Sequence, residues 1–171
     1  LLLPLLDQPC PVERMSVVYA LGRNPCPSAV EKLVSLLETD DNAYVRRATA
    51  WSLANYDNQI VLEPLINALK NDVAAVRLWS SSSLAEIGNV SLENAQLAAE
   101  QLLISLKIDN ESGVRSNCIW SLCRLYEKLN NTFQESFVDE CTKIALFDKE
   151  PSVMEEAKTA LDSMGMQGFY N

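Results

Sequence analysis

No histidine occurs anywhere in the 171-residue chain, which removes the commonest general base and the commonest metal ligand. The residues left that could do chemistry are five cysteines, a few adjacent carboxylates, and aromatic and arginine side chains at recurring intervals. Thiols can hold iron-sulphur clusters. Here they stand at Cys10, Cys26, Cys118, Cys123 and Cys141 with no Cys-x-x-Cys pair among them. Cys10 and Cys26 flank an expected helix of roughly 12 residues, about 18 Å long, too far apart to share a cluster unaided. Cys118, Cys123 and Cys141 fall on helices, where a free thiol usually serves as a small apolar side chain. A cluster shared with a partner through Cys10 or Cys26 stays open. The carboxylate neighbours Asp40 and Asp41, or Glu155 and Glu156, belong to turns and exposed helix starts, where solubility and the helix dipole account for them. With no phosphate-binding glycine loop, nucleophile elbow or HExxH pair, the chain alone is not expected to be an enzyme.

The elements that place these residues follow from a repeated phrase. A turn rich in Asp or Asn precedes an anchor residue, then Arg, then small residues, then a Leu eight positions past the anchor. The anchors are Glu13, Val45, Val76, Val114 and Val153, at intervals of 32, 31, 38 and 39 residues. Periods of this size mark helical solenoids, whose units bury their apolar faces only by stacking on one another. In the clearest unit, Leu33, Leu36 and Leu37 recur at helical spacing after Ser28, a candidate N-cap, so a first helix runs from Ser28 to about Glu38. Asp40, Asp41 and Asn42 break it, and a second helix spans about Ala43 to Asn55. The same pattern predicts helices over Ile60 to Lys70, Val73 to Gly88, Leu92 to Ile108, Gly113 to Leu129, Thr132 to Phe147 and Ser152 to Gly165. Leu1 to Leu6 is the remnant of a first helix, and Val12 to Gly22 is the second helix of that incomplete unit.

The expected architecture is therefore all-α: a right-handed α-solenoid of about five helix hairpins. It forms one domain over residues 1–171, with repeats at about 1–24, 25–57, 58–89, 90–130 and 131–165 and a tail at 166–171. Four residues past the anchors stand Val17, Thr49, Ser80, Cys118 and Ala157, small enough to let helices approach closely. Eight past stand Leu21, Leu53, Leu84, Leu122 and Leu161, the expected core knobs. Arg14, Arg46, Arg77 and Arg115 follow the anchors, while Asp40, Asn71, Asp109 and Asp148 precede them by five. The arginines are expected to pair with the turn Asp and Asn of neighbouring units, because planar guanidinium suits bidentate bonding to carboxylates. Phe169 and Tyr170 are candidates to fold back as a cap on the last repeat.

Composition bounds the partners. Net charge is -9, the pI about 4.5 and the mean hydropathy -0.02. Nucleic acid is a poor partner for such a chain, since phosphate binding needs clustered Lys and Arg. No run approaches the roughly 18 apolar residues of a membrane span, and Leu1 to Leu6 is too short, with nothing basic before it, to read as a signal peptide. An odd number of cysteines without disulfide-type spacing favours a reducing, cytoplasmic setting.

Tyr19-Ala20-Leu21-Gly22-Arg23-Asn24, Tyr44-Val45-Arg46-Arg47, Val76-Arg77-Leu78-Trp79 and Val114-Arg115-Ser116-Asn117-Cys118 together resemble HEAT repeats of the phycobilisome lyase type found in cyanobacteria. The resemblance spans essentially the whole chain and is strongest from Tyr19 to Leu125. It implies the solenoid fold. It also implies either an adapter or a subunit of a bilin lyase or chaperone for phycobiliproteins, and some members of the closest group are associated with iron-sulphur carrier proteins.

The departure from plain repeat packing lies six residues after the anchors, at Tyr19, Trp51 and Trp120, with Ser82 in that place in the third unit and Trp79 nearby. Six residues is about 240° around a helix, away from the small-residue and Leu stripe, so these rings are expected on the inner, concave side. Arg47 and Leu78 stand two residues after their anchors and Arg124 ten after Val114. Aromatic rings with Arg are the composition of interface hot spots. The expected function is a noncatalytic scaffold that grips a protein partner through Tyr19, Arg47, Trp51, Leu78, Trp79, Trp120 and Arg124, with neither cofactor nor metal of its own.

Overall fold

The computed structural model describes residues 2 to 166 and Gly168. Among them are nine α-helices, no strand, and no helix long and apolar enough to cross a membrane. A short 3-10 turn, Leu3–Asp7, packs on α1 (Pro11–Arg23). The hairpins α2 (Val30–Thr39) and α3 (Ala43–Leu53), α4 (Leu62–Asn71) and α5 (Ala74–Gly88), α6 (Leu92–Ile108) and α7 (Ser112–Leu125), and α8 (Asn131–Phe147) and α9 (Pro151–Ser163) follow in order. The second helices α1, α3, α5, α7 and α9 stack each on the last, so the chain is an all-α solenoid.

Local chemistry sets the ends of these helices. Pro11 and Pro151 open α1 and α9, where a missing N–H costs nothing. Asn42, Ser91 and Asn130 cap α3, α6 and α8 by accepting backbone N–H bonds from Tyr44 and Val45, Asn94, and Phe133. Gly165, at φ 76°, closes α9, with the Met166 N–H bonded to the Leu161 carbonyl. Ser28 is not the cap of α2. Pro27 starts a 3-10 turn through Ala29, α2 begins at Val30, and the Ser28 hydroxyl meets the Cys26 thiol instead. The α-helical part of α7 stops at Leu125 and continues as a 3-10 turn, Tyr126–Lys128, rather than reaching Leu129 as one helix. The suggested cap by Phe169 and Tyr170 lies outside the described residues.

The core follows the stripe. Val45, Val76, Val114 and Val153 are buried, as are Leu21, Leu53, Leu84, Leu122 and Leu161, and so are the small residues Val17, Thr49, Ser80, Cys118 and Ala157. Glu13, the anchor of the incomplete unit, is exposed.

Between units runs a polar chain. Arg14 donates from Nε and Nη2 to the Asp40 carboxylate at 2.8 and 2.9 Å. Arg46 does the same to Asp72 at 2.7 Å for both bonds, Arg77 to Asp109 at 2.7 and 2.8 Å, and Arg115 to Asp148 at 3.1 and 2.7 Å. Each arginine's Nη1 bonds backbone carbonyls of its own turn: Gln8 and Pro9, Asp40, Asp72, and Asp109 with Asn110. Each carboxylate also accepts a backbone N–H that holds its turn, from Asn42, Val73, Glu111 or Glu150. Every rung thus joins a turn to the next turn in a bidentate, charge-assisted form. Asn71 is not a member, contrary to the spacing. The third turn is one residue shorter, Asn71 completes α4, and Asp72 takes the place four before Val76.

Burial pushes the Asp40, Asp72, Asp109 and Asp148 carboxyls up, but the guanidinium bonds and turn N–H groups outweigh it and hold all four below their usual value. A folded-state pKa below the unfolded one gives stability that is present above the unfolded value, about 3.9, and is lost as pH falls through the folded values. Urea unfolding should therefore give a midpoint that varies little from neutral pH down to about pH 5 and drops below about pH 4. Asp109→Asn should lower the neutral midpoint and shallow the acid drop, whereas an identical acid slope in parent and variant would show that Asp109 is not part of this linkage.

Candidate functional site

The second helices form the face on which the aromatic row was expected, and the structure divides that row in two. Tyr19 on α1 and Trp51 on α3 meet across their junction with ring centroids 5.4 Å apart, tilted by 56°. Both rings are only partly exposed. The Trp51 edge lies so close to Gly22 that a Cβ there would sit 2.5 Å from the ring. These two side chains help fix the α1–α3 junction.

At the corresponding place on α5 stands Ser82, so Trp120 on α7 has no ring to meet and remains 40% exposed. Arg124, one turn on, lies over the indole at 4.9 Å and is itself held by Glu86 of α5, Nη2 to Oε1 at 2.7 Å. The cation–π contact and the ion pair together orient Trp120 while leaving it open. Beside it is a shallow groove of about 310 Å³, lined by Ser82, Gly113, Ser116, Asn117, Trp120 and Glu156. Trp79 on α5 is 37% exposed. Leu78 is half-buried and lies 3.5 Å from where a Gly113 Cβ would stand. Arg47 rests over the Tyr44 ring at 5.4 Å, and its buried Nε has no hydrogen-bond acceptor among the described residues. The structure thus brings Leu78 and Trp79 onto α5 and Trp120 and Arg124 onto α7, while Tyr19 and Trp51 form a separate pair at the N-terminal end.

Sequence reasoning missed two features of this face. Asn117 donates its amide to the Leu78 carbonyl at 3.1 Å and to Ser81 and Ser82 hydroxyls at 2.7 and 2.6 Å, tying α7 to α5. Seven residues past the anchors, Ser83 and Ser121 donate to the Ala50 and Ser81 carbonyls of the preceding second helix, each at 2.8 Å. The recurrence of serine at Ser52, Ser83 and Ser121 is the signal that could have found this second ladder. Ser52 departs from it, its hydroxyl buried without a partner among the described residues.

The thiols divide by location. Cys10 and Cys26 are exposed, Cys118 and Cys141 buried, Cys123 intermediate, and all five are free. Hydrogen bonding from Ser28 lowers the Cys26 pKa. Burial pushes Cys123 up to about 11 and raises Cys118 and Cys141 as well. Among the described residues no three His, Cys, Asp or Glu side chains are grouped so as to hold a metal ion.

Comparison with known proteins places this geometry. The sequence model described as HEAT repeats matches residues 1–85 and 30–123. No curated protein matches. Among solved structures, the complex of CpcE and CpcF of phycocyanin lyase from Nostoc sp. PCC7120 is similar with a TM-score of 0.72 at 22% identity, over 93% of this chain and 95% of that one. An engineered protein is similar at TM-score 0.67 and 23% identity, over 94% of this chain and 78% of that one. A designed armadillo repeat protein in complex with peptide (KR)4 is similar at 0.64 and 19%, over 98% of this chain and 88% of that one. At these identities the likeness speaks to the fold, while the matched sequence model covers well over half the chain, and the chain belongs to the HEAT-repeat family.

Proposed function

We propose that this chain is a noncatalytic adapter, a single domain that binds a protein partner along the face of its second helices, with Trp120 and Trp79 as anchors and Arg124, Leu78 and Arg47 around them. One observation carries the reading: two indoles on adjacent second helices are left 37% and 40% exposed, one of them oriented by an Arg–Glu pair. Large rings held open to water in a fixed pose bury much area on binding at little entropic cost. Tyr19 and Trp51, already packed together, contribute mainly to the shape of this face. The likeness to an armadillo protein bound to a peptide supports the same use of the scaffold. Five free thiols suit a reducing, cytoplasmic setting, and the net charge of -9 argues against nucleic acid.

Trp120→Ala should keep far-UV helicity and thermal midpoint, because the ring is not in the core. It should weaken capture of the native partner, identified by affinity purification, by roughly tenfold or more, the usual size of a hot-spot loss. Retention of every captured protein by the Trp79→Ala, Trp120→Ala double variant would refute the assignment.

A second reading, a subunit of a bilin lyase or chaperone, is favoured by the likeness to a phycocyanin lyase complex over almost the whole of both chains. With no histidine, its chemistry would fall to thiols or to a partner subunit, and Cys26 is the thiol best placed. Brief alkylation of the native protein should modify Cys26 and Cys10 while Cys118, Cys123 and Cys141 react only after denaturation, as peptide mass mapping would reveal. A visible band that forms on mixing with a linear tetrapyrrole and is lost in Cys26→Ser would favour this reading over the adapter.

A further inference from the structure

The first helices carry a feature that neither the core nor the indole face uses. The residue just before each ladder aspartate is the last of its first helix, and in the second and third units it is polar, Thr39 and Asn71. In the fourth and fifth it is Ile108 and Phe147, exposed by 71% and 81%. Nothing in the fold requires this, since the units with Thr39 and Asn71 build the same ladder rung beside them. The packing also changes here. α4 lies along α6, but α8 makes no comparably close approach to α6. A groove of about 410 Å³ opens between their C-terminal ends, with Ile108 and Phe147 in its lining.

Charge in that groove runs against the rest of the protein. Lys107, Lys143 and Lys149 line it with a single unladdered carboxylate, Glu140, which lies 3.9 Å from Lys107 and 3.6 Å from Lys143. Asp109 and Asp148 are neutralised by Arg77 and Arg115. A chain of net charge -9 thus presents a locally positive cleft edged by two large apolar side chains.

We infer that this groove is a second docking site, for a segment of a partner protein in which an apolar side chain is flanked by Asp or Glu. The apolar side chain would seat between Ile108 and Phe147, and the carboxylates would meet Lys107, Lys143 and Lys149. Complementary charge selects such a segment over a basic one, and the apolar edges offer nothing to a bare phosphate backbone. The site lies at the ends of α6 and α8 and the turns that follow them, and does not rest on the indole face.

The test uses the full chain and a display library of random dodecapeptides. Peptides enriched on the parent should carry Phe, Leu, Ile or Trp beside Asp or Glu. Their affinity should fall roughly tenfold, about 1.4 kcal/mol, in Ile108→Thr with Phe147→Asn, which installs the residues of the other units. It should fall similarly in Lys143→Glu with Lys149→Glu and on adding salt, and should be unchanged in Trp120→Ala. Melting temperatures of the groove variants should stay close to the parent's, because Ile108, Phe147, Lys143 and Lys149 are exposed and outside the core. Enrichment of basic peptides, or equal affinity in the variants, would overturn the inference. So would Phe147-dependent binding to phosphatidylcholine and phosphatidylserine vesicles, which would assign the patch to lipid, or a dimer in sedimentation velocity that Phe147→Asn dissolves.

Discussion

Bidentate pairing of an arginine in one turn with an aspartate in the next fixes how neighbouring units sit. It occurs at all four junctions, Arg14–Asp40, Arg46–Asp72, Arg77–Asp109 and Arg115–Asp148. Apolar burial would tolerate some sliding between helices, because it scales with area and has no direction. A planar fork gripping a carboxylate that is also held by its own turn's N–H does not. The side chains are largely shielded from water, with exposures from 3% to 20%, so these pairs are far from the screened surface bridges that contribute little. Loss of one partner would leave the other charge poorly solvated.

With the turns registered, the second helices are brought close enough for serine hydroxyls to reach carbonyls across the junction, as Ser83 and Ser121 do. That closeness decides the fate of the aromatic row. Where rings face each other, as Tyr19 faces Trp51, they fill the junction and become part of the scaffold. Where the facing residue is Ser82, Trp120 is left open and leans on Arg124. One sequence position thus fills a junction in one unit and stays exposed in another.

Much of this fold was legible because repetition multiplies weak signals: the buried Val anchors, the small residues four past them and the Leu eight past all stand where the period places them. The arginine ladder was legible in its donors and in three of its four acceptors. Asp72 was displaced from the expected position by a one-residue deletion in a turn, and spacing alone does not say which of two adjacent polar residues, Asn71 or Asp72, closes a helix. Ser28 was misassigned because Pro27 imposes a 3-10 start. Exposure of the aromatic residues was not legible, since it depends on what stands across a junction rather than along the helix. Nor was the exposure of Ile108 and Phe147 legible, since it depends on the groove between the C-terminal ends of α6 and α8 rather than on either helix alone.

A double-mutant cycle on one rung, Arg77→Ala and Asp109→Ala singly and together, measured by urea unfolding at neutral pH, tests the ladder most directly. Each single change should destabilise the chain, and the double variant should be less destabilised than their sum, giving a coupling of about 1 to 3 kcal/mol between residues of different turns. Additivity to within about 0.3 kcal/mol would mean that the pair does not register the units, and that apolar stacking alone holds the solenoid together.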